Sequence, residues 1–176
     1  DFSPLPFSVK VSYFIFIHLG HEGEVHCCKF SEWGDYLASS GFDKKIMIWK
    51  VFDKEFKNVV ELNAHKNGIL DICWSLDSSK IYSCSADKTI SVWDLIEGKR
   101  IKKYKDHEGI VNSVQAGKRG EEIFVSTWDD CTVKLWDERV KEAVSTVNLN
   151  YQTTTATFSD TNEYVLYRGI DNQIKA

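Results

Sequence analysis

The chain has 176 residues, 43% of them hydrophobic and 27% charged, with a formal net charge of −4. That composition holds enough apolar material for a packed core, and the negative balance argues against a surface that tracks nucleic-acid phosphates along its whole length. Apolar runs never reach the 18 residues that a membrane-spanning helix needs.

The first 19 residues begin at Asp1 and lack the basic stretch, apolar centre and small-residue cleavage site of a secretory signal. Residues 9–19 alternate, with Val9, Val11, Tyr13, Ile15 and Ile17 on one parity, which predicts a strand. Strands are next predicted at residues 25–30, 36–40, 45–51 and 59–62, then at 69–74, 81–85, 89–94 and 100–104. A third set falls at 111–115, 123–127, 132–137 and 143–147, and two more strands at 154–158 and 164–168. Four short strands recur every 42–44 residues with no 3.6-residue period anywhere. That pattern predicts an all-β chain of four-stranded antiparallel blades. Six Trp among 13% aromatic residues agree with it.

The cysteines are Cys27, Cys28, Cys73, Cys84 and Cys131. An odd count without a C-x-x-C pair signals neither a disulfide framework nor a zinc site. The first four stand in strand-like apolar runs, where a reduced thiol acts as a small hydrophobe, and a reducing compartment follows.

The repeat is visible residue by residue. Asp43, Asp87 and Asp130 each precede a tryptophan by six residues, at Trp49, Trp93 and Trp136. His21 and His65 lie 28 residues before their tryptophans, and His107 lies 29 before its own. Residues 87–94 and 130–137 end in Trp-Asp, the first unit in Trp49-Lys50. These signatures resemble the WD-repeat family of β-propellers from about residue 14 to the last residue. The resemblance implies three complete blades and a partial fourth, from a parent that is longer and seven-bladed. Its units would be an N-terminal segment at 1–19 holding a candidate ring-closing strand, repeats at 20–63, 64–105 and 106–149, and a partial repeat at 150–176. The alternative for the aromatic-rich run at 13–17 is a gene-model or cloning artefact. A chain of this extent is expected to expose apolar faces on its first and last units and to self-associate.

In that family a buried network ties the His, a strand Ser or Thr, the turn Asp and the Trp indole. Carried over, the sets are His21, Ser39, Asp43 and Trp49; His65, Ser83, Asp87 and Trp93; and His107, Ser126, Asp130 and Trp136. A His beside an Asp and a Ser also fits a catalytic triad, but a constellation repeated in every blade reads as scaffold. The sequence holds no Gly-rich phosphate loop, no H-E-x-x-H and no nucleophile elbow. No enzyme, cofactor, metal or small-molecule substrate is therefore expected.

Between the signatures, residues 20–30, 37–43, 111–113, 118–120, 129–137, 151–152, 157–161 and 169–175 resemble WD-repeat subunits of the U5 small nuclear ribonucleoprotein (U5 snRNP). This narrower resemblance implies a nuclear, non-catalytic scaffold that docks protein subunits during pre-mRNA splicing, with RNA contact weak or indirect. The alternative is another WD-repeat adaptor, such as a ubiquitin-ligase substrate receptor. Three local features compete as contact sites. The basic run Lys99, Arg100, Lys102, Lys103 and Lys105 could meet RNA phosphates or an acidic partner, or could only guard an outer strand against edge-to-edge pairing. Trp128 and Phe42, at the ends of predicted strands, are candidate interface anchors or packing residues. Glu22, Glu24 and Glu108, beside the repeat histidines, are solvated rim charge or a contact for a basic partner.

Overall fold

The computed structural model describes residues 20–52, 58–63, 65–106, 109–120, 122–171 and 173–176. The strand expected at 9–19, His107 and Glu108 lie outside them. Among the described residues there is no helix.

Within them, fifteen strands form four antiparallel sheets. The first is β1 (Val25–Phe30), β2 (Tyr36–Gly41), β3 (Lys45–Lys50) and β4 (Asn58–Asn63). The second is β5 (Ile69–Trp74), β6 (Lys80–Ser85), β7 (Ile90–Asp94) and β8 (Lys99–Tyr104). The third is β9 (Val111–Ala116), β10 (Ile123–Trp128), β11 (Thr132–Asp137) and β12 (Ser145–Asn148). The fourth has β13 (Thr153–Phe158), β14 (Val165–Gly169) and β15 (Ile174–Lys175). Strand order follows chain order in every sheet, and β1, β5, β9 and β13 are neighbours across successive sheets. This is a β-propeller arrangement, with those four strands innermost. β12 starts two residues later than the sequence predicts: the Val144 N–H bonds Leu135 O (2.8 Å) within the connection, and the ladder proper begins at Ser145.

The blades are held by apolar side chains meeting between sheets. Strands buried on both faces supply them: β7 sends Ile90 and Val92 towards the third sheet and Trp93 towards the first. Between the second and third sheets, Trp136 stacks on Phe124 (centroids 5.8 Å apart), and Tyr104 meets both rings edge-on at 5.2 and 5.0 Å. Each buried side chain of this size contributes about 1.5–3 kcal/mol by leaving water. Apolar side chains stay exposed on the first and last sheets, among them Val25, Phe30, Tyr164 and Ile174.

The innermost strand of every sheet carries a one-residue register shift near its start, at His26, Leu70, Asn112 and Thr154. Two outer strands carry another, at Val59 and Ile101. A bulge redirects the side chains beyond it, and the one at Ile101 sorts the basic run described below.

Candidate functional site

The turn from the second to the third strand of each complete blade is closed by a residue in the left-handed region: Lys44 (φ 69°), Lys88 (φ 67°) and Cys131 (φ 68°). It directly follows the turn Asp, whose carboxylate accepts the N–H two residues on at Lys45 (3.2 Å) and Thr132 (3.0 Å). The turn thereby presents each carboxylate to the loop leading into the same blade.

In the first blade, Asp43 accepts from His21 Nδ1–H (2.7 Å) and Glu22 N–H (3.1 Å). His21 Nε2 meets Ser39 Oγ (2.7 Å), which also accepts the Trp49 indole N–H (2.9 Å). In the second, His65 Nδ1 lies 3.1 Å from Asp87 and its Nε2 2.8 Å from Ser83, which accepts the Trp93 indole (2.9 Å). Asp87 also accepts from Lys66 N–H (2.9 Å) and Thr89 O–H (2.5 Å). In the third, the Trp136 indole donates to Ser126 (2.8 Å), and Asp130 accepts from Thr132 O–H (2.6 Å). The network assigns the tautomer: Nδ1 carries the proton towards the carboxylate, and Nε2 accepts from the serine. Burial pushes the Asp87 carboxyl up, but hydrogen bonds from His65, Thr89 and Lys66 outweigh it and hold the group well below the usual carboxylate range. Asp43 is lowered by the same contest.

Chemically, Ser, His and Asp stand in triad order, yet each serine oxygen is capped by an indole. Ser83 is fully buried and Ser39 nearly so. No reacting atom could approach either oxygen, so the constellation cannot act as a nucleophile as it stands. Among the described residues, no group of three His, Cys, Asp or Glu side chains could hold a metal ion.

Two further constellations escaped the sequence reading. One runs along the innermost strands. Asp71 accepts from Cys27 Sγ–H (3.2 Å) on one side, and from Ser113 O–H (2.7 Å) and Val114 N–H (3.2 Å) on the other; Ser113 in turn meets Thr155 (3.4 Å). One polar residue per blade thus links all four sheets. The signal was their spacing of 44, 42 and 42 residues, hidden because four residue types fill one structural position. Burial first, then the Asp71 charge, pushes the Cys27 thiol up to about 12, which keeps it a donor. Cys73 and Cys84 are buried, whereas Cys28, expected as a small hydrophobe in a strand, is exposed.

The other sits four residues beyond the turn Asp, at Met47, Ser91, Lys134 and Lys175. Lys134 Nζ bonds Asp106 Oδ2 (2.6 Å) and lies over the Trp128 ring (5.2 Å). Lys175 Nζ bonds Tyr151 Oη (2.8 Å) and Asp171 (2.9 Å), with the Tyr151 ring 4.5 Å away. The last two blades therefore place an ammonium group beside the turn.

The candidate contact residues separate. Trp128 is fully buried, with its indole N–H donated to Gly109 O (2.6 Å), so it offers a partner no surface. Its sister position in the first blade can only be glycine, since a Cβ at Gly41 would lie 2.1 Å from Glu24 O. Phe42 is 61% exposed and sits beside Gly68 of the next blade. Glu22 and Glu24 are exposed close by. In the basic run, Lys102 donates to the carbonyls of Glu138 and Val140 (both 2.6 Å) and is a tie between blades. Lys99 is exposed, 4.0 Å from Glu97. Arg100, Lys103 and Lys105 line one cleft.

The propeller of four-stranded antiparallel sheets and the recurring His–Ser–Asp–Trp ties define the class. The sequence matches the family described as WD domain, G-beta repeat, at residues 12–50, 56–94 and 98–137, and the chain belongs to it. Its relatives narrow the comparison. It is 40% identical over 157 residues to the U5 small nuclear ribonucleoprotein 40 kDa protein of Dictyostelium discoideum, covering 89% of this chain and 44% of that protein. It is 39% identical over 156 residues to the pre-mRNA-splicing factor cwf17 of Schizosaccharomyces pombe, covering 89% and 46%. With the human U5 small nuclear ribonucleoprotein 40 kDa protein it shares 42% identity over 151 residues, covering 86% and 42%. The chain spans less than half the length of these relatives.

Proposed function

We propose that this chain is part of a non-catalytic scaffold of the U5 small nuclear ribonucleoprotein, acting in the nucleus during pre-mRNA splicing by holding protein subunits together. The observation that carries the reading is similarity at 39–42% identity, running through the segments between the repeat signatures, to proteins named for that particle and for splicing. The geometry supports the non-catalytic part. In the first and second blades the Ser–His–Asp set is spent on joining a loop, a turn and a strand within one blade. Rigid blades with varied loops suit the docking of several proteins without chemistry. Phe42, with Glu22 and Glu24, is the rim group we assign to a protein partner, an exposed aromatic beside acidic residues.

Tagged full-length protein, purified from nuclear extract, is expected to recover U5 RNA together with U5 proteins. Recovery of cullin subunits in their place would identify a ubiquitin-ligase receptor and overturn the reading. Phe42→Ala is expected to lower the yield of at least one protein partner while leaving the thermal midpoint unchanged.

A further inference from the structure

The basic run on β8 looks like a uniform strip in sequence, but the fold divides it. With strict alternation, Arg100 and Lys102 would share one face and Lys99, Ile101 and Lys103 the other. The register shift at Ile101 breaks that alternation: Arg100 pairs with Trp93, Lys102 with Val92 and Lys103 with Ser91. Arg100 and Lys103 therefore share the face of Trp93 and Ser91, while Lys102 joins Tyr104 on the other. The side chains agree. The Arg100 guanidinium lies over the Trp93 ring (5.7 Å), and Lys103 Nζ is 3.5 Å from Asp87, whereas Lys102 reaches into the third blade.

The result is a cleft of about 440 Å³ beside the second blade's tie, lined by Lys66, Arg100, Lys103 and Lys105 with Thr89 and Asn63 as neutral polar groups. His65 and Asp87 complete the lining. Among the described residues that line it, Asp87 is the only carboxylate and is already engaged by His65, Thr89 and the Lys66 backbone. Among the described residues, neither Lys66 nor Lys105 has an acidic partner. Four cations thus converge on one concavity of a chain whose net charge is −4.

We infer that this cleft is a docking site for an acidic segment of a partner polypeptide, one carrying clustered carboxylates or a phosphorylated Ser or Thr. Several cations around one hollow suit an anion of more than one charge, and Arg100, braced on the Trp93 ring, keeps its fork available for bidentate contact. No exposed aromatic ring lines the cleft, so it lacks the stacking platform that a single-stranded nucleic acid uses. The inference stands on charge and register alone and does not depend on the splicing assignment.

The test is fluorescence anisotropy on the full-length protein with three labelled probes: an oligoglutamate peptide, the same peptide carrying one phosphoserine, and an oligouridylate. Lys66→Glu combined with Lys105→Glu reverses two exposed charges in the cleft; Lys99→Glu combined with Lys141→Glu makes the same charge change outside it. Either peptide is expected to bind, about tenfold or more weakly to the cleft variant and within about twofold of wild type for the outside variant. Arg100→Gln is expected to weaken binding as well, with the thermal midpoint reporting that the fold is intact. The peptide that binds more tightly identifies the anion. The inference is overturned by equal loss in both double variants, by absence of peptide binding, or by oligouridylate displacing the peptides and showing the same dependence on the cleft residues.

Discussion

The first two blades and the fourth meet the same requirement with different chemistry. Each blade must fasten the loop that leads into it to the turn between its second and third strands. In the first and second blades an imidazole does this, bridging the turn carboxylate and a buried serine. In the fourth, a lysine four residues beyond the turn Asp reaches back towards that loop, to Tyr151, and Lys134 makes a comparable contact with Asp106 in the third. A buried imidazole is directional and needs both its partners. An ammonium group beside a ring needs only one acceptor and tolerates water. The first kind of tie is the stiffer and the more sensitive to single substitutions, and the ranking that follows rests on that difference.

The largest effect is expected where packing and tie coincide. Trp136 is fully buried, lies against Phe124 and Tyr104, and donates to Ser126. Trp136→Ala is expected to destabilise by about 3–5 kcal/mol, with Trp49→Ala at the lower end of that range because Trp49 lies at the side of the first blade and retains slight exposure. Urea denaturation followed by fluorescence measures both, and equal losses would contradict the ranking. Next comes Ser83→Ala, which leaves His65 Nε2 and the Trp93 N–H without their shared partner at a fully buried position. A loss of about 1–3 kcal/mol is expected. Trp93→Phe in the same background should recover part of it by removing one orphaned donor, and a double-mutant cycle reads the coupling.

The imidazole ties also predict an acid limb. Hydrogen bonds hold Asp87 and Asp43 below the usual carboxylate range. Their folded-state pKa values are thus lower than those of the unfolded chain, and the stabilisation is complete above the unfolded value of about 3.9 and is lost as pH falls through the folded ones. Asp87→Asn should lower stability at pH 7 and flatten the dependence below about pH 4. Stability of that variant that fell with acid as steeply as in wild type would show that Asp87 is not the group responsible.

The sequence carried the architecture because the blade signature repeats the same residue types at fixed spacing: Asp43, Asp87 and Asp130 head six-residue runs that end in tryptophan. It did not carry the chain from Cys27 through Asp71 and Ser113 to Thr155. There, position is conserved between blades while residue type is not, and any hydrogen-bonding side chain of the right length can join the series. It left the fate of Trp128 open between an interface anchor and a packing residue. A tryptophan standing where its sister units have Gly41 and Ser85 fits either reading, and the carbonyl of Gly109 and the Lys134 ammonium above the ring account for its inward turn. The basic run was legible as charge but not as geometry, because one bulged residue decides which cations share a face.

Within the innermost chain, the same reasoning separates hub from terminus. Asp71→Ala removes the acceptor for Cys27, Ser113 and the Val114 N–H together, and about 1–3 kcal/mol is expected. Cys27→Ala deletes only one weak S–H donor and leaves Asp71 satisfied by Ser113, so less than about 1 kcal/mol is expected.

The smallest effect belongs to the ammonium ties. Lys134→Met removes the ion pair with Asp106, whose carboxylate is half exposed, but keeps an unbranched apolar stem against Trp128 and Trp136. Met47 already occupies this position in the first blade, so the substitution replaces one blade's solution with another's. The expected loss is about 0.5–1 kcal/mol at low salt and shrinks as ionic strength rises, since a pair reached by water is screened. Lys175→Met should do less still, because Lys175 is more exposed than Lys134. The converse change gives the sharper contrast. Ser91→Lys would drive a charge into a fully buried position facing the first blade's core, where Asn63 stands in the place of Asp106 and Asp87 is already engaged by His65 and Thr89. If that variant were as stable as Lys134→Met, the two kinds of tie would be interchangeable, and the distinction between them would collapse.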